Sequence, residues 1–207
     1  MALPSALPRP ILCWRKKGYH GGGITSIFLK GDQFNPDYVR INPKAVVPTL
    51  VHDGRLLTES TVVAEYLDEV FSDPPLKPAV ACDRHIIRLW TKAVDEEVHS
   101  ACAEVTFACT HRHTLARLPA AELARFLART PLQSVTPTWH VRKKEIVTLG
   151  LVAPGIDRPF RLYDRYLQKM EDALQGRTWI AGNAFSLAYI GMTPYVNRLD
   201  MLGISKL

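Results

Sequence analysis

The chain has 207 residues, of which 47% are hydrophobic, so it is long enough to bury one large core or two smaller ones. Its formal net charge is +6, but lysine and arginine are scattered and no basic stripe alternates with aromatic residues, which argues against a nucleic-acid-binding protein. No apolar run is long enough to span a membrane and no secretory signal precedes the four cysteines, so we expect a cytosolic protein with reduced thiols.

The first part of the chain predicts little regular structure. Three prolines fall within the first ten residues, and no strand can run through them inside a sheet. The pattern then predicts a short helix over residues 11–17 and a strand over residues 24–29. Residues 33–42 are bracketed by prolines and predict a loop with one helical turn.

The next stretch predicts a hairpin followed by a helix. A short apolar run from Pro48 to Val51 leads to the dipeptide Asp53-Gly54, which is typical of tight hairpin turns. A return strand then begins at Leu56. After it, apolar residues recur at helical spacing and predict a helix over residues 61–70.

Two features of this stretch indicate a ligand site. Pro48 cannot donate to a sheet, and a cis bond before it would leave the N–H and C=O of Val47 free to hold an extended peptide. Glu59 and Ser60 stand at the start of the helix, where unpaired N–H groups attract a carboxylate and Glu59 can take an ammonium group. The alternative interpretation is an ordinary hairpin followed by a capped helix.

The second half of the chain predicts a separate helical domain. Three prolines within residues 74–78 indicate a stiff linker, so we expect one domain over residues 1–78 and another over residues 79–207. Beyond the linker, apolar residues at helical spacing predict helices over residues 83–110, 120–129, 139–151, 158–175 and 187–202.

The order of these motifs resembles the glutathione transferase superfamily. The resemblance implies an α/β plus all-α fold: a thioredoxin-like N-terminal domain followed by an all-helical C-terminal domain, here expected to lack the last helices. Residues 88–96 and 152–155 are similar to the bacterial β-etherase-like branch of the family. The N-terminal motif that carries the resemblance consists of Asn42, Pro43, Val47, Pro48, Leu50, Asp53, Gly54, Thr58, Glu59, Ser60, Tyr66 and Leu67.

The resemblance implies a function and a set of binding residues. The backbone of Val47, before Pro48, would pair with the cysteinyl part of glutathione, and Glu59 with Ser60 would hold its γ-glutamyl end. The implied activity is that of a glutathione transferase, with glutathione as co-substrate and a small apolar electrophile bound between the domains. The resemblance also implies a homodimer, in which the helix over residues 61–70 and the helix from residue 83 face the partner subunit.

The start of the chain departs from the family pattern. The first strand and the catalytic loop are degraded, and Ser5 is the hydroxyl residue that precedes the turn at Lys16-Lys17-Gly18. We therefore predict that Ser5 is the catalytic donor to the glutathione thiolate. Cys13 would lie within a helix, which is the wrong place for a thiol-activating residue. A glutathione-binding or interaction protein without catalytic activity is the alternative function.

Two smaller expectations concern the helical half. The spacing of His99, Cys102, Cys109, His111 and His113 does not match a zinc site, so no metal site is predicted. In the family the buried helix that corresponds to residues 187–202 begins with a capping box. Here Ser186 can supply its half of the box, but Tyr189 replaces the acidic partner, a loss that costs about 1 kcal/mol.

Overall fold

The computed structural model describes Cys13, residues 15–18, residues 31–128 and residues 138–204. Predictions about Ser5, the proline-rich start and the strand over residues 24–29 lie outside these residues. Within the described ranges, none of the helices is both long and apolar enough to cross a bilayer.

The described chain forms two compact units, each assembled from separate stretches. The first unit contains Cys13 with residues 15–18, residues 59–103 and residues 157–204. The second unit contains residues 31–58, 104–128 and 138–156. The predicted domain boundary near residue 78 stays a prediction.

The second unit holds the predicted hairpin, which is confirmed. Strand β1, Leu50–His52, pairs antiparallel with β2, Arg55–Leu57, and Val51 lies opposite Leu56. Asp53 and Gly54 both have positive φ, 48° and 73°, as a type I′ turn requires.

Upstream of the hairpin, a 3₁₀ turn at Asp32–Phe34 leads into helix α1, Pro36–Ile41. The Asn35 side chain caps this helix by accepting a hydrogen bond from the N–H of Asp37.

The helices predicted over residues 61–70 and beyond residue 78 are also confirmed, with bounds that differ by a few residues. The helix predicted over residues 83–110 runs further, to Leu115, and contains two π-helical segments, Val94–Val98 and Phe107–His111. A 3₁₀ turn, Gly150–Val152, follows the helix that begins at Trp139. In chain order, the helices are α2 Ser60–Val70, α3 Ala81–Ala93, α4 His99–Thr106, α5 Arg112–Leu115, α6 Ala120–Ala128, α7 Trp139–Leu149, α8 Asp157–Leu174 and α9 Leu187–Met201.

Helix α9 forms the centre of the first unit. Its buried side chains cover more than half of the helix circumference, and Thr193, Asn197 and Asp200 form an exposed stripe on the remaining side. It contacts both α2 and α3, which contribute Leu67 and Ile87 to the same core. Each fully buried side chain of this size stabilises the unit by about 1.5–3 kcal/mol.

A buried ion pair joins the start of the chain to α2. The Nζ of Lys17 lies 2.9 Å from Oδ1 of Asp68, and the two side chains are only 1% and 4% exposed. Lys17 also donates to the C=O of Pro74 at 2.7 Å, and Asp68 accepts from the N–H of Leu76 at 2.8 Å. Because other groups also satisfy both charges, burial is tolerated, whereas removing one partner would cost about 3–5 kcal/mol.

The predicted Ser186 cap does not form, so that expectation is wrong. Ser186 precedes α9 but makes no side-chain cap bond, and its buried hydroxyl has no hydrogen-bond partner among the described residues. Tyr189 instead uses its hydroxyl, which accepts from the N–H of Ile180 at 3.2 Å and lies 3.5 Å from the C=O of Thr178. The tyrosine at the third helical position therefore ties the preceding connector to the helix.

Candidate functional site

Side-chain hydrogen bonds hold the loop before β1. The Tyr38 hydroxyl donates to the C=O of Val46 at 2.6 Å and lies 3.0 Å from Oγ1 of Thr49. Nδ2 of Asn42 donates to the same carbonyl at 2.9 Å and lies 3.3 Å from the Thr49 hydroxyl. Asn42 is buried, and its Oδ1 accepts from the N–H of Lys44. The loop that carries Val47 is therefore anchored on both sides of that residue.

Val47 presents its backbone for pairing. The residue is 43% exposed, and its bond to Pro48 is cis. Over residues 31–128, the N–H and C=O of Val47 make no hydrogen bond. An N–H and C=O in this state can bind an extended ligand backbone as an added strand would.

Glu59 occupies a strained position at the start of α2. Its φ of 66° is unusual for a residue with a side chain and costs about 1–3 kcal/mol, and such strain concentrates at ligand sites. The exposed Glu59 side chain does not cap its own helix, and Ser60 is the first helical residue. The helix start therefore offers N–H groups to an anionic ligand, with a carboxylate and a hydroxyl next to them.

A second carboxylate lies at the same helix start, and sequence reasoning missed it. The hydroxyl of Thr61 donates to Oδ1 of Asp95 at 2.7 Å. Asp95 belongs to the π segment Val94–Val98, which regular helical spacing does not predict. The acidic run Asp95-Glu96-Glu97 is visible in the sequence, but only the structure shows which of its members faces α2.

The predicted site residues fall in both units. Val47 and Pro48 belong to the second unit, and Glu59 and Ser60 belong to the first. Their assignment to one glutathione site stays a prediction. The catalytic role of Ser5 also stays a prediction, because Ser5 lies outside the described residues.

Cys13 is a structural thiol. It is helical, as predicted, and fully buried, and its S–H donates to the C=O of Ala64 at 3.6 Å. Burial raises the pKa of the Cys13 thiol to about 11, although the nearby Lys17 ammonium acts in the opposite direction. The thiol is therefore protonated at neutral pH, which rules it out as a resting thiolate.

His99 and His111 make separate contacts with aromatic side chains. Nδ1 of His99 lies 3.1 Å from the Tyr195 hydroxyl, and the His111 ring packs edge-on against Phe107. In the described part of the chain, no group of three or more histidine, cysteine, aspartate or glutamate side chains is arranged to hold a metal ion.

Sequence comparisons identify relatives for both halves of the chain. The family model for the N-terminal domain of glutathione S-transferase matches residues 22–70. Protein LigF of Sphingobium sp. strain SYK-6 is 28% identical over 198 residues, which cover 94% of this chain and 75% of LigF. Glutathione S-transferase U7 of Arabidopsis thaliana is 35% identical over 86 residues, but these cover only 40% of this chain and 38% of the plant protein.

Solved structures show the same fold. The crystal structure of β-etherase LigF aligns with a TM-score of 0.81 and 26% identity over 93% of this chain and 78% of LigF. Glutathione transferase F7 of Populus trichocarpa aligns with a TM-score of 0.68 at 18% identity, over 95% of this chain and 79% of that protein, which supports the fold alone. The expected fold class, a thioredoxin-like region followed by an all-helical region, is confirmed. The chain belongs to the glutathione transferase superfamily of enzymes, and over nearly its whole length it resembles the bacterial β-etherase-like branch.

Proposed function

We propose that this chain is a glutathione transferase that uses glutathione as co-substrate and joins its sulfur to a small apolar electrophile. Membership of the superfamily supports the enzyme class and the co-substrate. LigF is named a β-etherase, so compounds with an ether bond are included among the candidate electrophiles. A cytosolic location, expected from the sequence, stays a prediction.

In the proposed reaction, the protein binds glutathione and favours loss of the thiol proton to solvent. The resulting thiolate sulfur forms a bond to an electrophilic carbon, and the leaving group departs with the electron pair of the bond that breaks. Lowering the thiol pKa by one to two units requires about 1.4–3 kcal/mol of preferential stabilisation of the thiolate. A hydrogen-bond donor near the sulfur supplies stabilisation of this size.

The cysteinyl and γ-glutamyl parts of glutathione each have a proposed binding group. The free N–H and C=O of Val47 would pair with the cysteinyl backbone. Glu59 would bind the γ-glutamyl ammonium, while the Ser60 hydroxyl and the first N–H groups of α2 bind its carboxylate. The observation that carries this proposal is the strained, exposed Glu59 at a helix start that its own side chain does not cap.

Calorimetric titration with glutathione tests these assignments. Glu59→Gln and Ser60→Ala each remove a hydrogen bond to a charged ligand group, which contributes about 1.5–3 kcal/mol. We therefore expect affinity to fall roughly 10- to 150-fold in each variant, with no loss of folded protein.

Glu69→Gln is the matched control, because it makes the same charge change at the other end of the same helix. Glu69 is exposed and accepts a hydrogen bond from Lys77 at 2.7 Å, far along α2 from the proposed ligand groups. The Glu69→Gln variant should bind glutathione with the affinity of the wild type. Unchanged affinity in both Glu59→Gln and Ser60→Ala would contradict the proposed γ-glutamyl site.

Ser5 is the proposed donor to the thiolate. Thiolate absorbance gives the pKa of bound glutathione, which should be depressed in the wild type and return toward about 8.5 in Ser5→Ala. Equal, depressed pKa values would show that another group activates the thiol. Equal, unshifted values would favour the alternative function, a protein that binds glutathione without catalysis.

We further propose that the chain forms a homodimer through α2 and α3. Val62 on α2 is 63% exposed and Leu89 on α3 is 53% exposed, although both belong to helices that pack into the core of the first unit. Glu65 and Arg88 form an ion pair of 4.0 Å between these helices. Apolar side chains around a polar pair are typical of a surface that a second subunit covers.

A further inference from the structure

The hydroxyl of Tyr38 bonds to the residue just before Val47, whose backbone belongs to the proposed glutathione site. It donates to the C=O of Val46 at 2.6 Å, and that carbonyl belongs to the same peptide group as the N–H of Val47. A peptide group is planar, and in the trans form its C=O and N–H point in opposite directions. The peptide between Val46 and Val47 is trans. Fixing the carbonyl oxygen therefore fixes the direction of the Val47 N–H.

We propose that Tyr38 is a positioning residue for glutathione, acting through this peptide group to aim the Val47 N–H at the cysteinyl carbonyl of the ligand. The inference rests on the proposed function. Besides orienting the group, a hydrogen bond to the carbonyl polarises the amide and makes its N–H a stronger donor.

Tyr38 is the informative residue because its two roles can be separated. The residue is half-buried, and its hydrogen bonds to Val46 and Thr49 are made by the hydroxyl. Asn42 donates to the same carbonyl, but it is buried and also accepts from the N–H of Lys44, so its removal would disturb the whole loop. Tyr38→Phe removes one donor and leaves the Asn42 bond in place.

The experiment compares two ligands in two proteins. Glutathione and an analogue with a thioamide sulfur in place of the cysteinyl carbonyl oxygen are titrated into the wild type and into Tyr38→Phe. Sulfur is the poorer acceptor, so the wild type should prefer glutathione. In Tyr38→Phe, glutathione affinity should fall about 2- to 12-fold, the effect of one neutral hydrogen bond, while affinity for the analogue changes less than about twofold.

Tyr189→Phe is the control, because it removes another phenol hydroxyl that bonds to the backbone, within the first unit. It should lower the melting temperature and leave both affinities unchanged. If both ligands weaken by the same factor in Tyr38→Phe, the residue is merely structural and the inference is overturned. If the wild type binds glutathione and prefers it, but Tyr38→Phe keeps the full preference, only this inference fails. A wild type that does not bind glutathione overturns both this inference and the proposed function.

Discussion

Positive φ angles at residues other than glycine show how far single residues can be predicted. Asp53 has φ 48° within an Asp-Gly turn, and the dipeptide itself predicts this conformation. Ala45 and Glu59 have φ 51° and 66°, and neither residue type favours the left-handed region. Sequence motifs therefore located the start of α2 as a candidate site, but the strained backbone that sets Glu59 apart could come only from the structure.

Replacing Ser186 should not lower the free energy of unfolding as the loss of a helix cap usually does. Within the described part of the chain its buried hydroxyl has no partner and caps nothing, so Ser186→Ala removes a polar group that burial disfavours. We expect the free energy of unfolding to stay within about 0.5 kcal/mol of wild type or to rise by up to about 1 kcal/mol. Urea denaturation followed by circular dichroism measures this change.

Tyr189→Phe is the paired variant at the same helix end. It removes the hydroxyl that accepts from the N–H of Ile180, so stability should fall by about 1 kcal/mol. A loss of about 1 kcal/mol in Ser186→Ala, with no loss in Tyr189→Phe, would instead restore Ser186 as the cap.

At the scale of elements, apolar spacing located each predicted helix of the second half but not the internal irregularities. The helix predicted over residues 83–110 continues to Leu115, and π segments interrupt its regular hydrogen bonding at Val94–Val98 and Phe107–His111. Each wider turn shifts the faces of the residues that follow, whereas spacing rules assume a constant turn. For this reason Asp95 was not predicted to face the start of α2.

Gly191 weakens the central helix α9, and a methyl group there should strengthen it. A cavity of about 10 Å³ lies beside it within the first unit. An added Cβ would meet Thr91 and Val94 side-chain carbons at 3.7 Å, an ordinary contact distance. Gly191→Ala gains about 1 kcal/mol of helix propensity and buries a methyl group, so the free energy of unfolding should rise by about 1–2 kcal/mol.

Gly150→Ala provides a control of opposite sign in the same denaturation assay. Gly150 has φ 64°, and an added Cβ would overlap the Arg112 guanidinium. Stability should fall by more than about 1 kcal/mol, since alanine cannot adopt this conformation without strain. If Gly191→Ala destabilises the protein as Gly150→Ala does, the space beside α9 is not available to a methyl group.

At the scale of the whole molecule, neither compact unit is one continuous stretch of chain. One unit groups residues 59–103 with residues 157–204, and the boundary near residue 78 that the proline-rich linker indicated stays a prediction. Local composition marks where a chain is stiff, but contacts between residues far apart in sequence decide which segments pack together. Such contacts leave no short motif.

The proposed dimer gives a prediction at this scale. Val62→Asp places a charge on an apolar, exposed part of α2, where burial against a second subunit would be unfavourable. Light scattering at micromolar concentration should show a dimer for the wild type and a monomer for Val62→Asp. Val141→Asp, at a site that is 61% exposed on α7, should remain dimeric. A monomeric wild type would contradict the proposal.

The buried pair of Lys17 and Asp68 limits how this chain could be recombined with others. The segment matched by the family model, residues 22–70, includes Asp68 but not Lys17. A chimera that transplants only this segment would carry a buried carboxylate without its cation. Such a graft must either include the turn at Lys17 or replace Asp68 with a neutral side chain. Residues 22–70, the stretch that the family model recognises, are therefore not sufficient on their own for transfer into another protein.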